Sequence, residues 1–121
     1  MKKIDKVLWI LQLLLAALFL FAGGTKLVMS AADLAAQSSL PVAFIRFIGV
    51  AEILGALGLV LPGLVRFGRL LTPLAACGLV IIMIGATVLT ASGGPAAAAL
   101  IPFITGLIAV FIAYGRWRLA A

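Results

Sequence analysis

The stretch VLWILQLLLAALFLFAGGTKLVM, residues 7–29, is apolar throughout except for Gln12, Thr25 and Lys26. A helix needs about 20 apolar residues to cross the hydrocarbon core of a bilayer. The basic start, Met1-Lys2-Lys3, gives this stretch some likeness to a signal peptide. It is longer than the apolar region of such a peptide, and three further apolar stretches follow it. We therefore predict that it is the first of several transmembrane helices.

Four apolar stretches predict an all-α integral membrane protein, a bundle of four transmembrane helices in a single domain over residues 1–121. The expected spans are about 7–29, 41–61, 70–91 and 95–115. Helices are favoured because lipid offers no hydrogen bonds to the backbone. Turn signals mark the breaks: Ser30–Asp33 as a capping box that starts a short interfacial helix, Pro62-Gly63 as the end of the second span, and Gly93–Pro95 before the fourth. Pro102 predicts a kink in the fourth span.

Composition and charge agree with this prediction. Hydrophobic residues make up 66% of the chain and charged residues only 10%, too few for a water-soluble domain. The net charge of +6 comes from basic residues at the ends of the spans rather than from a patch, which argues against nucleic-acid binding. Basic residues concentrate on one side of the membrane, and they predict that both termini are cytoplasmic. They are Lys2, Lys3, Lys6, Arg66, Arg69, Arg116 and Arg118.

The chain has no histidine and one cysteine, Cys77. A disulfide within the chain is therefore excluded, and the usual ligand sets for haem, an iron–sulfur cluster or another metal are missing. We expect no intrinsic cofactor and no metal site, so that any redox role would use a diffusible or borrowed cofactor. Cys77 itself is expected to be a small buried hydrophobic residue.

Lys26, Arg46 and Glu52 fall within the predicted spans. A charge in the membrane costs about 3 kcal/mol and needs a partner or a cavity. Lys26 and Arg46 lie at similar depth, and Glu52 lies about 9 Å deeper than Arg46 at 1.5 Å per residue. Two cations above one acid suit a polar or anionic headgroup, and Gly23, Gly49 and Gly55 would leave room beside them. One alternative is an ion-pair network that only holds helices together. The other is that Lys26 and Arg46 extend outward alone toward the membrane surface.

Several segments resemble the DoxX-like family of small bacterial four-helix membrane proteins. They are WILQ (9–12), FAGGTKL (21–27), RFIGVAEILGALGL (46–59), LP (61–62) and MIGA (83–86). The resemblance implies a four-helix bundle in the bacterial inner membrane. It also implies an association with quinone-dependent oxidation or oxidative-stress complexes, and hence a redox partner protein. Many relatives carry a histidine soon after the MIGA segment, whereas Val88-Leu89-Thr90 follows here.

Three functions remain open at this point. The chain is a binding or accessory subunit that holds a quinone or another amphipathic ligand, a small proton-coupled exporter that uses Glu52, or a structural assembly factor. Small exporters carry their membrane glutamate in the first helix, and two cations beside Glu52 would keep it ionised, which disfavours the second function. The sequence leaves open the ligand, the oligomeric state (a homo-oligomer included) and whether any reaction is catalysed.

Overall fold

The computed structural model describes residues 2–37, 40–65 and 70–120. Within them the backbone forms five α-helices and one 3₁₀ turn. The helices are α1 (Lys2–Val28), α2 (Ala31–Gln37), α3 (Val42–Val65), α4 (Leu71–Gly93) and α5 (Leu100–Ala120), and the 3₁₀ turn is Ala96–Ala99. Arg66, Arg69 and Ser38-Ser39 lie outside the described residues.

Four segments are long and apolar enough to span a membrane: Lys3–Val28, Val42–Leu64, Leu71–Gly93 and Ala96–Arg118. They confirm the predicted all-α four-helix membrane protein. Each long helix packs on the next along the chain, and α1 also packs on α5, so that the four form an up-and-down bundle. We call the end with α2 the α2 end, and the end where α1 begins and α5 ends the terminal end.

The short helix α2 begins where the sequence predicts. Ser30 Oγ accepts a hydrogen bond from the Asp33 amide at 3.2 Å, and the Ser30 carbonyl accepts one from the Leu34 amide at 3.1 Å. These bonds satisfy amide groups that have no partner within the helix. Leu34 is buried, and α2 contacts α3.

The interior of the bundle consists mainly of apolar side chains. Its core contains Leu8, Leu15, Ala16 and Phe19 of α1, Ala56 and Leu59 of α3, Ala76, Leu79 and Met83 of α4, and Ala109 and Ile112 of α5. Many large apolar side chains instead face outward, Phe21 and Ile81 among them. That exposure suits helices whose outer faces contact lipid rather than water.

The structure corrects the predicted end of the second span. Pro62 does not terminate α3, which continues to Val65. Proline lacks the amide that would bond to the carbonyl four residues earlier, here that of Gly58. Thr72 Oγ1 donates a hydrogen bond to this carbonyl at 3.0 Å. The hydroxyl from α4 replaces the missing backbone donor, and the helix continues past the proline.

Pro102 lies in the first turn of α5, just after the 3₁₀ turn, where a missing amide leaves no intrahelical bond unmade. One further expectation needs correction. Cys77 is exposed on the outer side of α4 rather than buried.

Candidate functional site

Lys26 and Glu52 form an ion pair between α1 and α3, near the α2 end. Lys26 Nζ lies 2.8 Å from Glu52 Oε1. The Glu52 side chain is 3% exposed, whereas that of Lys26 is 30% exposed. The pair predicted between Glu52 and a cation is thus confirmed for Lys26. It links a buried carboxylate to an ammonium group that is still partly accessible.

Glu52 Oε1 is buried, and its partner is the Lys26 ammonium group 2.8 Å away. Helix contacts place Glu52 at about the level of Met83 and Gly106, because Gly55 meets Leu79 and Gly106 meets Met83. A buried carboxylate halfway along a membrane helix carries an energetic cost that packing alone does not require.

Arg46 has a different role from the one expected. Its guanidinium donates to the carbonyls of Lys26, Leu27 and Met29 at 3.3, 3.0 and 3.1 Å. These carbonyls lie at the end of α1, where the last turn leaves carbonyl groups without helical partners. Arg46 therefore caps α1, and the ion pair that the structure describes for Glu52 is the one with Lys26. The two-cation site of the sequence prediction reduces to one cation and one acid.

The predicted site glycines mark close helix contacts. A Cβ atom on Gly23 would lie 2.6 Å from the Gly49 carbonyl oxygen, and one on Gly49 would lie 2.9 Å from Lys26 Cβ. Gly55 instead faces α4, where a Cβ would lie 2.7 Å from Leu79 Cδ2. The space beside these glycines is thus filled by the neighbouring helix. Gly23 and Gly49 bring α1 and α3 together so that Lys26 can reach Glu52.

Phe19, Phe44 and Phe47 do not form an apolar pocket beside Lys26. Phe19 is 1% exposed and belongs to the core. Phe44 and Phe47 are exposed and stack on each other, with ring centroids 6.4 Å apart. At 3.6 residues per turn they lie on roughly the opposite face of α3 from Gly49, and hence away from Lys26.

A second polar cluster, which the sequence did not predict, lies at the terminal end. Gln12, 1% exposed, donates through Nε2 to the Leu59 carbonyl and accepts through Oε1 from Arg116 Nε. Arg116 Nη1 also pairs with Asp5 Oδ1 at 2.6 Å, and its guanidinium lies 5.4 Å from the centre of the Trp9 ring. The cluster joins α1, α3 and α5. The sequence did give one sign of this cluster: Gln12 is a polar residue on the stripe of α1 that is buried in the bundle.

The charged positions and their glycine neighbours all lie between residues 23 and 55. A family model described as the DoxX-like family matches residues 10–112. The chain belongs to the DoxX-like family. The match covers Lys26, Arg46, Glu52 and the three glycines, and it confirms the resemblance drawn from the sequence. Neither the search of curated proteins nor that of solved structures gives a match.

Metal chemistry has no evident site in the part of the chain that the structure describes. Within residues 2–37, 40–65 and 70–120, no cluster of three or more histidine, cysteine, aspartate or glutamate side chains could hold a metal ion. The chemistry available at the Lys26–Glu52 site is hydrogen bonding and charge: an ammonium donor at the edge and a carboxylate acceptor inside.

Proposed function

We propose that this DoxX-like protein is a small binding subunit of the bacterial inner membrane. In this proposal it holds the polar head of an amphipathic ligand, with a quinone as first candidate, at the Lys26–Glu52 pair and serves a redox partner protein. The observation that supports the proposal is the ion pair itself, in which buried Glu52 holds the Lys26 ammonium group while the Lys26 side chain stays partly exposed and can still donate to a headgroup.

The ligand would bind at the accessible edge of the pair. Lys26 has three N–H donors, and its side chain is partly exposed, so that a headgroup carbonyl could accept a hydrogen bond there. Gly23 and Gly49 close the space between α1 and α3, which keeps a ring from lying between these two helices. The isoprenoid tail of a quinone would then extend along outward-facing apolar side chains.

The exporter alternative is less well supported by the geometry. A proton-coupled exporter needs a polar route from Glu52 to both sides of the membrane. Between Glu52 and the terminal polar cluster lie Phe19, Ala56 and Leu59, which are at most 1% exposed and belong to the core. A structural assembly factor would use the same ion pair with no ligand, and the experiment below separates it from the binding subunit.

The test is the thermal stability of the detergent-solubilised protein with and without a short-chain ubiquinone analogue. A ligand that binds only the native state raises stability, and the gain grows with ligand concentration. We expect a concentration-dependent rise for the parent protein and none for Lys26→Gln. Lys6→Gln is the matched control, since it makes the same change at an exposed position of α1 outside the site.

Three outcomes decide the matter. A rise retained by Lys6→Gln and lost by Lys26→Gln supports the binding subunit. A rise that Lys26→Gln retains places the ligand elsewhere and rejects this site. If neither a quinone nor a lipid analogue shifts the parent's stability, and extraction of gently purified protein yields no quinone, the pair is structural.

A further inference from the structure

A groove runs along the outside of the bundle between α4 and α5, far from the Lys26–Glu52 pair. Its volume is about 510 Å³, and its lining includes Pro73, Leu74 and Cys77 of α4 and Val110, Tyr114 and Trp117 of α5. We propose that this groove is a binding site for one anionic phospholipid of the surrounding bilayer, with an acyl chain in the groove and the phosphate beside Arg118.

The position and length of the groove suit an acyl chain. It begins at the first turn of α4 and at Trp117 near the end of α5, which places its mouth at the terminal end. It extends inward to Ile81. From Pro73 to Ile81 the helix rises about 12 Å at 1.5 Å per residue, less than half of the ~30 Å hydrocarbon core. The part of one acyl chain nearest the headgroup would fill the groove.

The mouth of the groove carries interfacial side chains. Tyr114 and Trp117 are 62% and 53% exposed, and each combines an apolar ring with one hydrogen-bond donor. Such rings favour the level of lipid headgroups. The Arg118 guanidinium lies 5.9 Å from the centre of the Tyr114 ring, which holds the cation beside the mouth.

Charge complementarity selects an anionic headgroup. The sequence has three acidic residues. Asp5 pairs with Arg116, Glu52 pairs with Lys26, and Asp33 lies in the first turn of α2 at the opposite end. Arg118 has no acidic partner among the side chains that the structure describes. Basic side chains beside grooves between membrane helices are typical sites for anionic lipid headgroups.

The start of α4 adds to the positive electrostatic potential at the mouth of the groove. Leu70 provides no side-chain cap, so that the positive end of the helix dipole faces the membrane surface near Pro73. Arg116 offers an internal contrast, since its charge is already neutralised by Asp5 and it contacts Gln12. Of the two arginines at the end of α5, Arg118 is therefore the one available to a phosphate.

The experiment uses the full chain in nanodiscs that contain equal amounts of phosphatidylglycerol and phosphatidylcholine with identical acyl chains. After transfer to mild detergent, native mass spectrometry counts the lipids that each protein retains. We expect the parent to retain phosphatidylglycerol over phosphatidylcholine by about fivefold, the contribution of one arginine–headgroup interaction at a membrane surface. Arg118→Gln should lower that ratio to about one, whereas Lys6→Gln should leave it unchanged.

A second variant tests the groove independently of charge. Cys77 is exposed, so that Cys77→Phe adds bulk to the groove without entering the core. It should reduce retention of phosphatidylglycerol and leave the thermal unfolding temperature unchanged. Leu107→Phe is the control, since Leu107 is similarly outward-facing on α5 but does not line the groove.

Equal retention of both lipids by the parent would overturn the proposal and make the groove ordinary lipid-facing surface. Selective retention that survives both Arg118→Gln and Cys77→Phe would move the site elsewhere and equally reject it. A dimer mass that Cys77→Phe converts to monomer, without retained phosphatidylglycerol, would show that a second copy covers the groove.

Discussion

Breaking the Lys26–Glu52 pair should destabilise the protein unequally, depending on which charge is removed. Lys26→Met leaves a carboxylate that is 3% exposed without its counter-ion, and loss of one partner of a buried pair costs about 3–5 kcal/mol. Because Lys26 is 30% exposed, some water would reach the site, and we expect a cost of about 3 kcal/mol, near the lower limit. That is a change of roughly 150-fold in the unfolding equilibrium constant.

Glu52→Gln should cost less, about 1 kcal/mol, because a partly exposed ammonium can turn toward the headgroup region. The double variant Lys26→Met, Glu52→Gln leaves no buried charge and should be more stable than Lys26→Met alone. This order, rather than any single value, is the signature of a pair with one buried and one accessible member.

The assay is reversible unfolding in mixed micelles, with SDS as the denaturant and helical circular dichroism as the signal. Lys6→Met is the matched control and should leave the midpoint unchanged, since exposed substitutions away from packed features have little effect. The reasoning fails if Lys26→Met is as stable as the parent, or if the double variant is no more stable than Lys26→Met.

Three other predictions test the helix contacts and the topology. Gly23→Ala places a methyl group 2.6 Å from a backbone oxygen and should lower stability by about 1–3 kcal/mol, whereas Gly24→Ala, with nothing within 4 Å, should be neutral or slightly stabilising; equal losses in the same unfolding assay would contradict this. Thr72→Val should cost about 1–3 kcal/mol, because it leaves the partly buried Gly58 carbonyl unpaired. The loss should shrink in a Pro62→Ala background, where the backbone amide returns, and an undiminished loss would refute the role given to the hydroxyl. A cysteine at Asp33, in a chain without Cys77, should react with an impermeant maleimide from outside intact cells; protection there would reverse the predicted orientation.

The sequence alone indicated which face of each helix carries the polar residues. Gln12 and Lys26 fall on one stripe of α1, and Glu52 shares a face of α3 with Gly49 and Ala56. All five are buried or partly buried in the bundle, because helical periodicity alone decides which residues share a face. The sequence was a poorer guide to proline, since the effect of Pro62 depends on whether another helix supplies a donor.

For a related reason, the sequence did not determine which cation pairs with Glu52. Arg46 and Lys26 lie at similar depth, and either could have paired with Glu52. In the structure Glu52 pairs with Lys26, because Gly23 and Gly49 allow α1 and α3 to approach closely. Arg46 instead lies against the carbonyls at the end of α1. A difference of a few ångströms in helix separation or register would change these partners.

The sequence by itself determined that the chain crosses a membrane four times as helices, because apolar length and the absence of water in the bilayer leave the backbone no other solution. It also determined which side chains carry the cost of charge in that environment. Only the tertiary structure decided which groups offset that cost: Lys26 for Glu52, Thr72 for the carbonyl freed by Pro62, and Arg116 for Asp5. Span formation depends on each segment's own transfer into lipid, whereas these partnerships depend on distances between helices that no single segment encodes.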